Sequence, residues 1–263
     1  MCTRFVYRGD NIITGFNFDI DIVEWNHKVI NTKDCFYIGI MRPDGMRHSY
    51  HGVNRNGNVG TLLYVHGNLS GTYQDSKDCI TIADLVEKFI QAEVSFDDVL
   101  QILKERKIVY AADATMQAML SDKHGRTLVV EPGIGWREDE GRYSLITNYS
   151  ILAPESTRPF VMPEDDRYEK ASKMLNIYGN HFTVNNAFSI LQAVCQEGIW
   201  ATRVSFVYSA EEMRFIMFRI IIFHRLESMS FRIYRSMKNY RIKDNLSVYK
   251  WLLDSLFKKR CKN

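Results

Sequence analysis

Short segments rich in apolar residues, separated by polar turn sequences, dominate the first third of the chain and predict antiparallel strands. Residues 3–7 and 12–18 carry this pattern on either side of the turn sequence Arg-Gly-Asp-Asn at 8–11, which predicts a hairpin. Short turns between neighbouring strands favour an antiparallel meander. Further strands are predicted in the same region, between turns that contain Gly, Asn and Pro, at residues 36–41, 48–52 and 59–66.

A helical spacing of apolar residues begins after Thr81. The sequence Thr-Ile-Ala-Asp that starts there is typical of a helix N-terminus, and a second helix is predicted from Ser95. Strands outnumber helices and pair mostly as neighbours, so the predicted fold class is α+β, with helix pairs covering two stacked sheets. The remaining pattern predicts strands at 115–120, 127–131, 143–147 and 202–208, and helices at 165–177 and 184–196.

Composition narrows the class of protein. The chain has 263 residues, of which 46% are hydrophobic, enough for one large domain with a sizeable core. Apolar runs of membrane-spanning length and an apolar signal core at the N-terminus are both missing, so we expect a cytoplasmic protein without a membrane partner. Nucleotide-binding and nucleic-acid-binding motifs are missing too, which predicts no cofactor and no nucleic-acid partner.

The five cysteines do not predict a metal site or a disulfide framework. Their number is odd, and their spacing contains no Cys-x-x-Cys pair. We interpret Cys35, Cys79 and Cys195 as small buried hydrophobic residues. The histidines at 48, 51 and 66 lack the fixed spacing and the fourth ligand that zinc requires, so they too predict no metal site.

Cys2 differs from the other cysteines because of its position. Removal of Met1, which cells carry out when the second residue is small, leaves a thiol and a free α-amine on one residue. An α-amine titrates near pH 7.7–8.0, so part of it can accept a proton at neutral pH. A thiol becomes a strong nucleophile once a neighbouring base deprotonates it. Cys2 is therefore a candidate N-terminal nucleophile.

The residues around Cys2 resemble the choloylglycine hydrolase and penicillin V acylase family of N-terminal nucleophile hydrolases. That family begins Met-Cys-Thr and continues with Gly-Arg-Asn, a hydrophobic residue and Asp. This chain begins in the same way and carries Gly15, Asn17, Phe18 and Asp19 at the corresponding positions. The resemblance implies that Asp19 holds the α-amine and orients it toward the thiol.

Further motifs of this family follow in order along the chain. Residues 54–64 resemble its Asn-x-x-Gly turn and oxyanion strand, and residues 122–132 resemble its Asp-to-Glu-Pro hairpin. By this resemblance, the backbone N–H near Tyr64 and the side chain of Asn148 hold the oxyanion, and Arg203 lies beside the nucleophile. The structural alternatives are Asn148 as a turn former, Arg203 as a surface residue and Asp19 as a loop cap.

The resemblance implies a fold and a function. The fold is the αββα sandwich of N-terminal nucleophile hydrolases, in which two antiparallel sheets lie between helix layers. The reaction is hydrolysis of a linear, non-peptide amide by Cys2 without metal or cofactor, in a homo-oligomer that is often a tetramer. At the Tyr64 position penicillin V acylases tend to carry Tyr and bile-salt hydrolases Asn, which favours phenoxyacyl or aliphatic N-acyl amides over conjugated bile acids as the small-molecule substrate.

One departure from the family keeps two alternatives open. Phe16 stands where the family has an Arg that contributes to the electrostatics of the thiol, and Arg4 or Arg203 could compensate for its loss. The chain could instead be a catalytically impaired relic, in which case Phe16→Arg should restore activity. The other alternative is an acyltransferase on the same scaffold, which passes the acyl group to an amine.

The family resemblance stops near residue 213, where the charge of the chain changes. Residues 214–263 hold 13 Lys+Arg against 3 Asp+Glu, so their net charge is +10, whereas that of residues 1–213 is −7. A basic arm for nucleic acid or anionic membrane is one interpretation. We favour a catalytic domain at 1–213 followed by a divergent, possibly frame-shifted tail at 214–263. The expectations are that the apolar stretch 215–223 has no packing partner and that 220–263 contacts the core little.

Overall fold

Two antiparallel sheets face each other in the computed structural model, which describes residues 2–219 and 234–235. In chain order the strands are β1 (Cys2–Arg8), β2 (Ile12–Asp19), β3 (His27–Asn31), β4 (Cys35–Met41), β5 (Arg47–Asn54), β6 (Val59–Tyr64), β7 (Cys79–Thr81), β8 (Lys107–Val109), β9 (Met116–Ser121), β10 (Thr127–Glu131), β11 (Gly135–Glu138), β12 (Tyr143–Ile146), β13 (Thr202–Ser209), β14 (Arg214–Arg219) and β15 (Tyr234–Arg235). The helices are α1 (Ile82–Ile90), α2 (Phe96–Glu105), α3 (Pro154–Thr157), α4 (Arg167–Asn176) and α5 (Val184–Ala193).

The sheets and helices form four layers. The first sheet has the strand order β12-β1-β2-β13-β14-β15, and the second has the order β11-β10-β9-β6-β5-β4-β3. Helices α4 and α5 contact the first sheet, and α1 contacts the second and is followed by α2. The predicted αββα sandwich of antiparallel sheets is confirmed. Within the described residues, no helix is long and apolar enough to cross a membrane.

Alternation along the hairpin of β1 and β2 builds both faces of the first sheet. Phe5 and Tyr7 point toward the helix layer, and Val6 and Phe16 join the core between the sheets. Gly15 pairs directly with Phe5, and a Cβ atom at residue 15 would lie 2.2 Å from the Phe5 ring. The glycine of the family-like motif therefore serves packing, because only a residue without a side chain lets this ring cover the strand.

Side-chain caps fix where the helices begin. The Thr81 hydroxyl accepts the Asp84 N–H at 3.0 Å, as the sequence predicted for the start of α1. Ser95 with Asp98 forms a full capping box at α2, and Thr183 with Asn186 does so at α5. The four longer helices lie where the periodicity placed them, with ends that differ by a few residues.

The sequence pattern missed six strands among those described, and two of them, β14 and β15, lie beyond residue 213. β3 is a sheet-edge strand with no buried residue, and β11 is fully exposed, so neither shows the apolar alternation of a half-buried strand. β7 and β8 are three residues each and pair in parallel outside the two large sheets. Strands this short carry too few residues to define a period.

The fold continues past the predicted boundary at residue 213. β14 pairs with β13 along its whole length, the Phe215 ring stacks on the Phe36 ring with 4.2 Å between centroids, and Met217 is fully buried. The expectation that this apolar stretch has no packing partner is therefore wrong for Phe215 and Met217. Apart from 234–235, the tail at 220–263 lies outside the described residues, so its expected lack of core contacts stays a prediction.

We expect Phe215→Ala to destabilise the protein by about 3–5 kcal/mol, because it removes a buried ring from the core between the sheets. The measurement is urea unfolding followed by circular dichroism. Val23→Ala, at a residue that is 91% exposed, is the matched control and should change stability by less than about 0.5 kcal/mol. Equal stability of the two variants would show that β14 contributes nothing to the core.

Candidate active site

Cys2 is the first residue of β1, which lies between β12 and β2 in the first sheet. The residue is 6% exposed, and its Sγ lies 4.0 Å from the carbonyl oxygen of Asp19. Its nitrogen donates to Asn148 Oδ1 at 2.6 Å, and its carbonyl accepts from Arg167 Nη1 at 2.9 Å. The backbone of the candidate nucleophile is thus held on both sides by side chains from distant segments.

The Asn148 side chain connects the two sheets at this point. It follows β12 of the first sheet, and its Nδ2 donates to the carbonyl of Tyr64, the last residue of β6 in the second sheet, at 2.7 Å. Its Oδ1 accepts from both Cys2 and Arg167 Nη2, the latter at 3.0 Å. One N–H of the Asn148 amide is therefore engaged with Tyr64, and the second is the one available to a substrate oxygen.

The backbone of Tyr64 faces the same place. Val65 N–H donates to Thr115 at 3.2 Å across the β6–β9 ladder. Because hydrogen-bonding sides alternate along an antiparallel strand, both backbone groups of Tyr64 point away from β9. Its carbonyl receives the Asn148 amide, so its N–H lies on that same side. The structure thus brings Cys2, Asn148 and the Tyr64 backbone together.

Asp19 ends β2 beside the start of β1. Its carboxylate accepts the Thr202 hydroxyl at 2.6 Å and Arg167 Nη1 at 3.3 Å, and the residue is 2% exposed. Burial raises the pKa of Asp19 to about 6, although Arg167 and the positive N-terminus both act to lower it. The carboxyl therefore combines a buried position with cationic neighbours.

Arg167 was not found from the sequence, although it contacts more of this site than any predicted residue. It is 1% exposed and stands at the first position of α4, where Asp165 binds it through both carboxylate oxygens, at 2.7 and 2.5 Å. We call Arg167, Asp165, Asp19 and Asn148 the Arg167 cluster. One sequence feature could have pointed to Arg167. It is a cation at the N-terminus of a helix, and the helix dipole disfavours a cation there unless nearby carboxylates compensate its charge.

Arg203 lies near Asp19, but its contacts are with backbone carbonyls. Its Nε donates to Ile20 at 3.3 Å and its Nη2 to Ile199 at 3.5 Å. The guanidinium that contacts the backbone of Cys2 is that of Arg167. Arg203 is 8% exposed, so the alternative of a solvent-exposed side chain does not describe it.

Phe16 and Arg4 are direct cross-strand neighbours in the core between the sheets. Arg4 is fully buried, donates to the Ser121 hydroxyl at 2.8 Å, and has its pKa lowered to about 9 by burial. An Arg at residue 16 would put a second guanidinium next to a buried one. The loss of the family's Arg at 16 is thus accompanied by a buried Arg one strand away.

Two other family-like motifs support the site without lining it. The carboxylate of Glu131 accepts the Ile151 N–H at 2.8 Å and the Ser150 hydroxyl, which fixes the loop that follows Asn148. The Asn54 side chain accepts the N–H of Asn58 at 3.1 Å and closes the turn before β6. These contacts explain why the motifs place carboxyl and amide groups there.

A cavity of about 20 Å³ lies against Cys2. Burial raises the pKa of the Cys2 thiol to about 11, against the lowering effect of the positive N-terminus and of Arg167. Within the described part of the chain, no group of three or more His, Cys, Asp or Glu is arranged to hold a metal ion. Most of the cavity wall is apolar or aromatic, and it consists of Cys2, Phe18, Asp19, Ile20, Trp25, Ile40, Tyr50, His51, Leu62, Tyr64, Met116 and Trp200.

Comparison with known proteins gives a family and a set of similar folds. The profile of a family described as linear amide C–N hydrolases, choloylglycine hydrolase family, matches residues 5–135. Comparison with curated proteins gives no match.

Three solved structures illustrate the likeness of fold. The C2A mutant of the conjugated bile acid hydrolase from Clostridium perfringens has a TM-score of 0.63 and 13% identity, covering 92% of this chain and 97% of that one. Penicillin V acylase from Agrobacterium tumefaciens has a TM-score of 0.57 and 18% identity, covering 83% of each chain. A Caenorhabditis elegans ortholog of N-acylethanolamine-hydrolyzing acid amidase has a TM-score of 0.54 and 13% identity, covering 80% of this chain and 93% of that one. At these identities the likeness shows the fold.

We expect Arg167→Met to destabilise the protein by about 3–5 kcal/mol, because it leaves two buried carboxylates without their cation. Lys170→Met is the matched control on the same helix, since Lys170 pairs with Asp166 at the surface. That exposed pair should contribute less than about 1 kcal/mol. Urea unfolding of both variants measures the difference, and similar losses would contradict a special role for Arg167.

The raised pKa of Asp19 predicts a pH dependence of stability. Between about pH 4 and pH 6 the folded protein keeps a proton on Asp19 that the unfolded chain, with its ordinary pKa of 3.8, has released. The stabilisation from this proton is complete below pH 3.8 and is lost as pH rises through 6. Asp19→Asn cannot titrate, so the unfolding free energy of wild type relative to this variant should fall over that range. A flat or rising difference would contradict the raised pKa.

Proposed function

We propose that the chain hydrolyses N-acyl amides with Cys2 as the nucleophile, in the manner of a penicillin V acylase, because residues 5–135 match the choloylglycine hydrolase family of linear amide C–N hydrolases. The observation that carries this proposal is the convergence of Cys2, Asn148 and the Tyr64 backbone where the two sheets meet. The geometry combines a thiol with two neutral N–H donors, which acyl transfer requires.

The first half of the reaction forms a thioester. In the processed chain, the α-amine of Cys2 takes the thiol proton, and Sγ attacks the amide carbonyl carbon. Negative charge develops on the carbonyl oxygen, where the free N–H of Asn148 and the N–H of Tyr64 stabilise it. The C–N bond then breaks, the leaving amine receives the proton from the α-ammonium, and the acyl group remains on sulfur.

The second half returns the enzyme to its starting state. A water molecule gives a proton to the α-amine and attacks the thioester carbonyl, and the same two donors hold the oxygen. Collapse of this intermediate breaks the C–S bond, and the proton returns to sulfur as the acid leaves. Removal of one oxyanion donor typically costs about 3–4 kcal/mol of transition-state stabilisation, so the Asn148 amide is a major contributor.

The Arg167 cluster supports this chemistry from behind. Arg167 binds the Cys2 carbonyl, and Asp19 and Asn148 lie on the same guanidinium. We propose that Asp19 orients the α-amine and that Arg167 orients Asp19 and Asn148. The positive charge of Arg167 also favours the thiolate form of a thiol whose burial disfavours it.

Substrate, compartment and assembly belong to the proposal as well. The Tyr64 position favours phenoxyacyl or aliphatic N-acyl amides, and a panel of penicillin V, N-acyl homoserine lactones and glycine-conjugated bile acids tests that preference. A clear preference for bile acids would overturn it. A cytoplasmic location and a homo-oligomer, a tetramer by family resemblance, are the corresponding expectations for the protein in its cell.

The mechanism predicts that Cys2→Ala abolishes turnover and leaves the fold intact, because the variant loses only the thiol. Cys2→Ser should keep trace activity at most, since a hydroxyl is far harder to deprotonate than a thiol. The assays are amide hydrolysis and thermal unfolding. Cys79→Ala is the matched control, because Cys79 is a buried free cysteine outside the Cys2 cavity, and it should retain activity.

Two measurements complete this test. Intact-mass spectrometry of the purified protein should show Met1 removed, because retained Met1 leaves Cys2 without a free amine. Product analysis with a competing amine separates hydrolysis from acyl transfer, and free acid should dominate. If Cys2→Ala were as active as the wild-type protein, the proposed function would be contradicted.

A further inference from the structure

The imidazole of His48, at the start of β5, lies between two carboxylates. Its Nδ1 is 2.7 Å from Glu87 Oε2 on α1, and its Nε2 is 2.9 Å from Asp44 Oδ2 in the turn between β4 and β5. Both ring nitrogens therefore face a carboxylate oxygen at hydrogen-bond distance. No step of the proposed chemistry uses this residue, so the arrangement needs an explanation of its own.

A neutral imidazole cannot satisfy both of these contacts. It has one N–H donor and one acceptor nitrogen, whereas a carboxylate only accepts. Two short contacts to carboxylates therefore need a proton on each nitrogen. The extra proton belongs to the ring, because the ordinary pKa of imidazole is about 6.5 and that of a carboxyl group about 4. The Met46 N–H and His48 hold the pKa of Asp44 below its ordinary value, which keeps that carboxylate charged.

The other charged groups around His48 leave it in an acidic environment. The cations that line the two surface cavities beside it are engaged elsewhere: Arg42 with Asp113, Lys88 with Glu93, Arg47 with Asn26, and Arg106 with the Cys79 carbonyl. The remaining titratable groups in these walls are Tyr73, Asp75, Cys79 and Asp84. Partial burial acts to lower the pKa of His48, but its hydrogen bonds with Glu87 and Asp44 and their charges raise it above its ordinary value of 6.5.

Loss of the proton would break the contact with Asp44 and keep the one with Glu87. The Asp44 side chain is 51% exposed, whereas that of Glu87 is 26% exposed and also accepts the Ser49 N–H at 2.9 Å. A neutral ring that donates from Nδ1 to Glu87 turns the lone pair of Nε2 toward the Asp44 carboxylate, and the two repel each other. Asp44 is then free to leave.

The turn that Asp44 belongs to also supports the cavity against Cys2. Arg42 lies in this turn and donates to the hydroxyl of Tyr50, a residue of the cavity wall. The guanidinium of Arg42 is held at the same time by Asp113. His48 therefore holds a segment that reaches from the helix layer to the wall of the candidate active site.

We propose that His48 is a proton-operated clamp, which ties the turn between β4 and β5 to α1 when the ring is charged and releases the turn when the ring is neutral. Because the pKa of His48 is raised by folding, the stabilisation from its proton is complete below pH 6.5 and is lost as pH rises through the raised value. The clamp is a property of the fold and does not depend on the proposed hydrolysis.

Hydrogen exchange measured by mass spectrometry follows the turn directly. The peptide that contains residues 42–46 is compared between about pH 6 and pH 9, the range in which a histidine with a raised pKa loses its proton, after correction for the intrinsic exchange rate. We expect the protection of this peptide to fall about fivefold over that range, the effect of one exposed ion pair. Equal protection at both ends of the range would overturn the clamp.

Asp44→Asn should remove this pH dependence without opening the turn. The introduced amide keeps an oxygen for the Met46 N–H, which Asp44 Oδ1 accepts at 2.8 Å, and it offers an N–H to the lone pair of His48 Nε2. A neutral ring then satisfies both neighbours, because it donates to Glu87 and accepts from the amide. Protection that falls in this variant as much as in the wild type would contradict the assignment to His48 and Asp44.

Urea unfolding gives a second and independent measurement. The unfolding equilibrium of the wild type should shift toward the unfolded state by about fivefold relative to Asp44→Asn as pH rises from about 6 to 9. His124→Gln, at an exposed histidine in the turn between β9 and β10, is the matched control and should keep the wild-type pH dependence. Parallel pH profiles of the wild type and Asp44→Asn would overturn the clamp.

Discussion

The buried guanidinium of Arg167 joins the parts of the candidate site that come from distant segments. It contacts the Cys2 carbonyl from β1, Asp19 from β2 and Asn148 from the loop after β12, while Asp165 balances its charge. A buried cation is tolerated only when its donors are satisfied and its charge is paired, and here both conditions are met by residues of the site itself. The same contacts that stabilise its burial therefore also fix the backbone of the candidate nucleophile.

Local sequence patterns predicted much of the fold. The strands β1 and β2 flank a polar turn sequence, and the helix starts at Thr81 and Ser95 carry side-chain caps, so their positions follow from nearby residues. The edge strands β3 and β11 were missed because pairing with a neighbouring strand, and not burial, defines them. Phe215 was assigned no partner because its partner, Phe36, is far away in the sequence.

The candidate site, like the fold, was predicted from the sequence only in part. Cys2, Asp19, Tyr64 and Asn148 were found because each belongs to a motif that resembles a known family. Arg167 was missed because the contact that defines it joins residues 165 positions apart, and neither its neighbours nor any motif records that contact. Arg203 was expected beside the thiol, but the structure shows it on the carbonyls of Ile20 and Ile199. Long-range packing decides which of two buried guanidinium groups contacts the backbone of Cys2.

The hydrogen bond from Asn148 to the Tyr64 carbonyl ties the candidate site to the packing between the two sheets. In the proposed mechanism, one oxyanion donor follows a strand of the first sheet and the other ends a strand of the second, so the distance between the sheets sets the distance between the donors. That spacing is fixed by the aromatic side chains packed between the sheets, among them Phe16, Phe36 and Phe206. A bulkier residue far from Cys2 would widen the gap and separate the two donors. The proposed mechanism therefore couples core packing to reaction rate, so a substitution in this core would change turnover as well as stability.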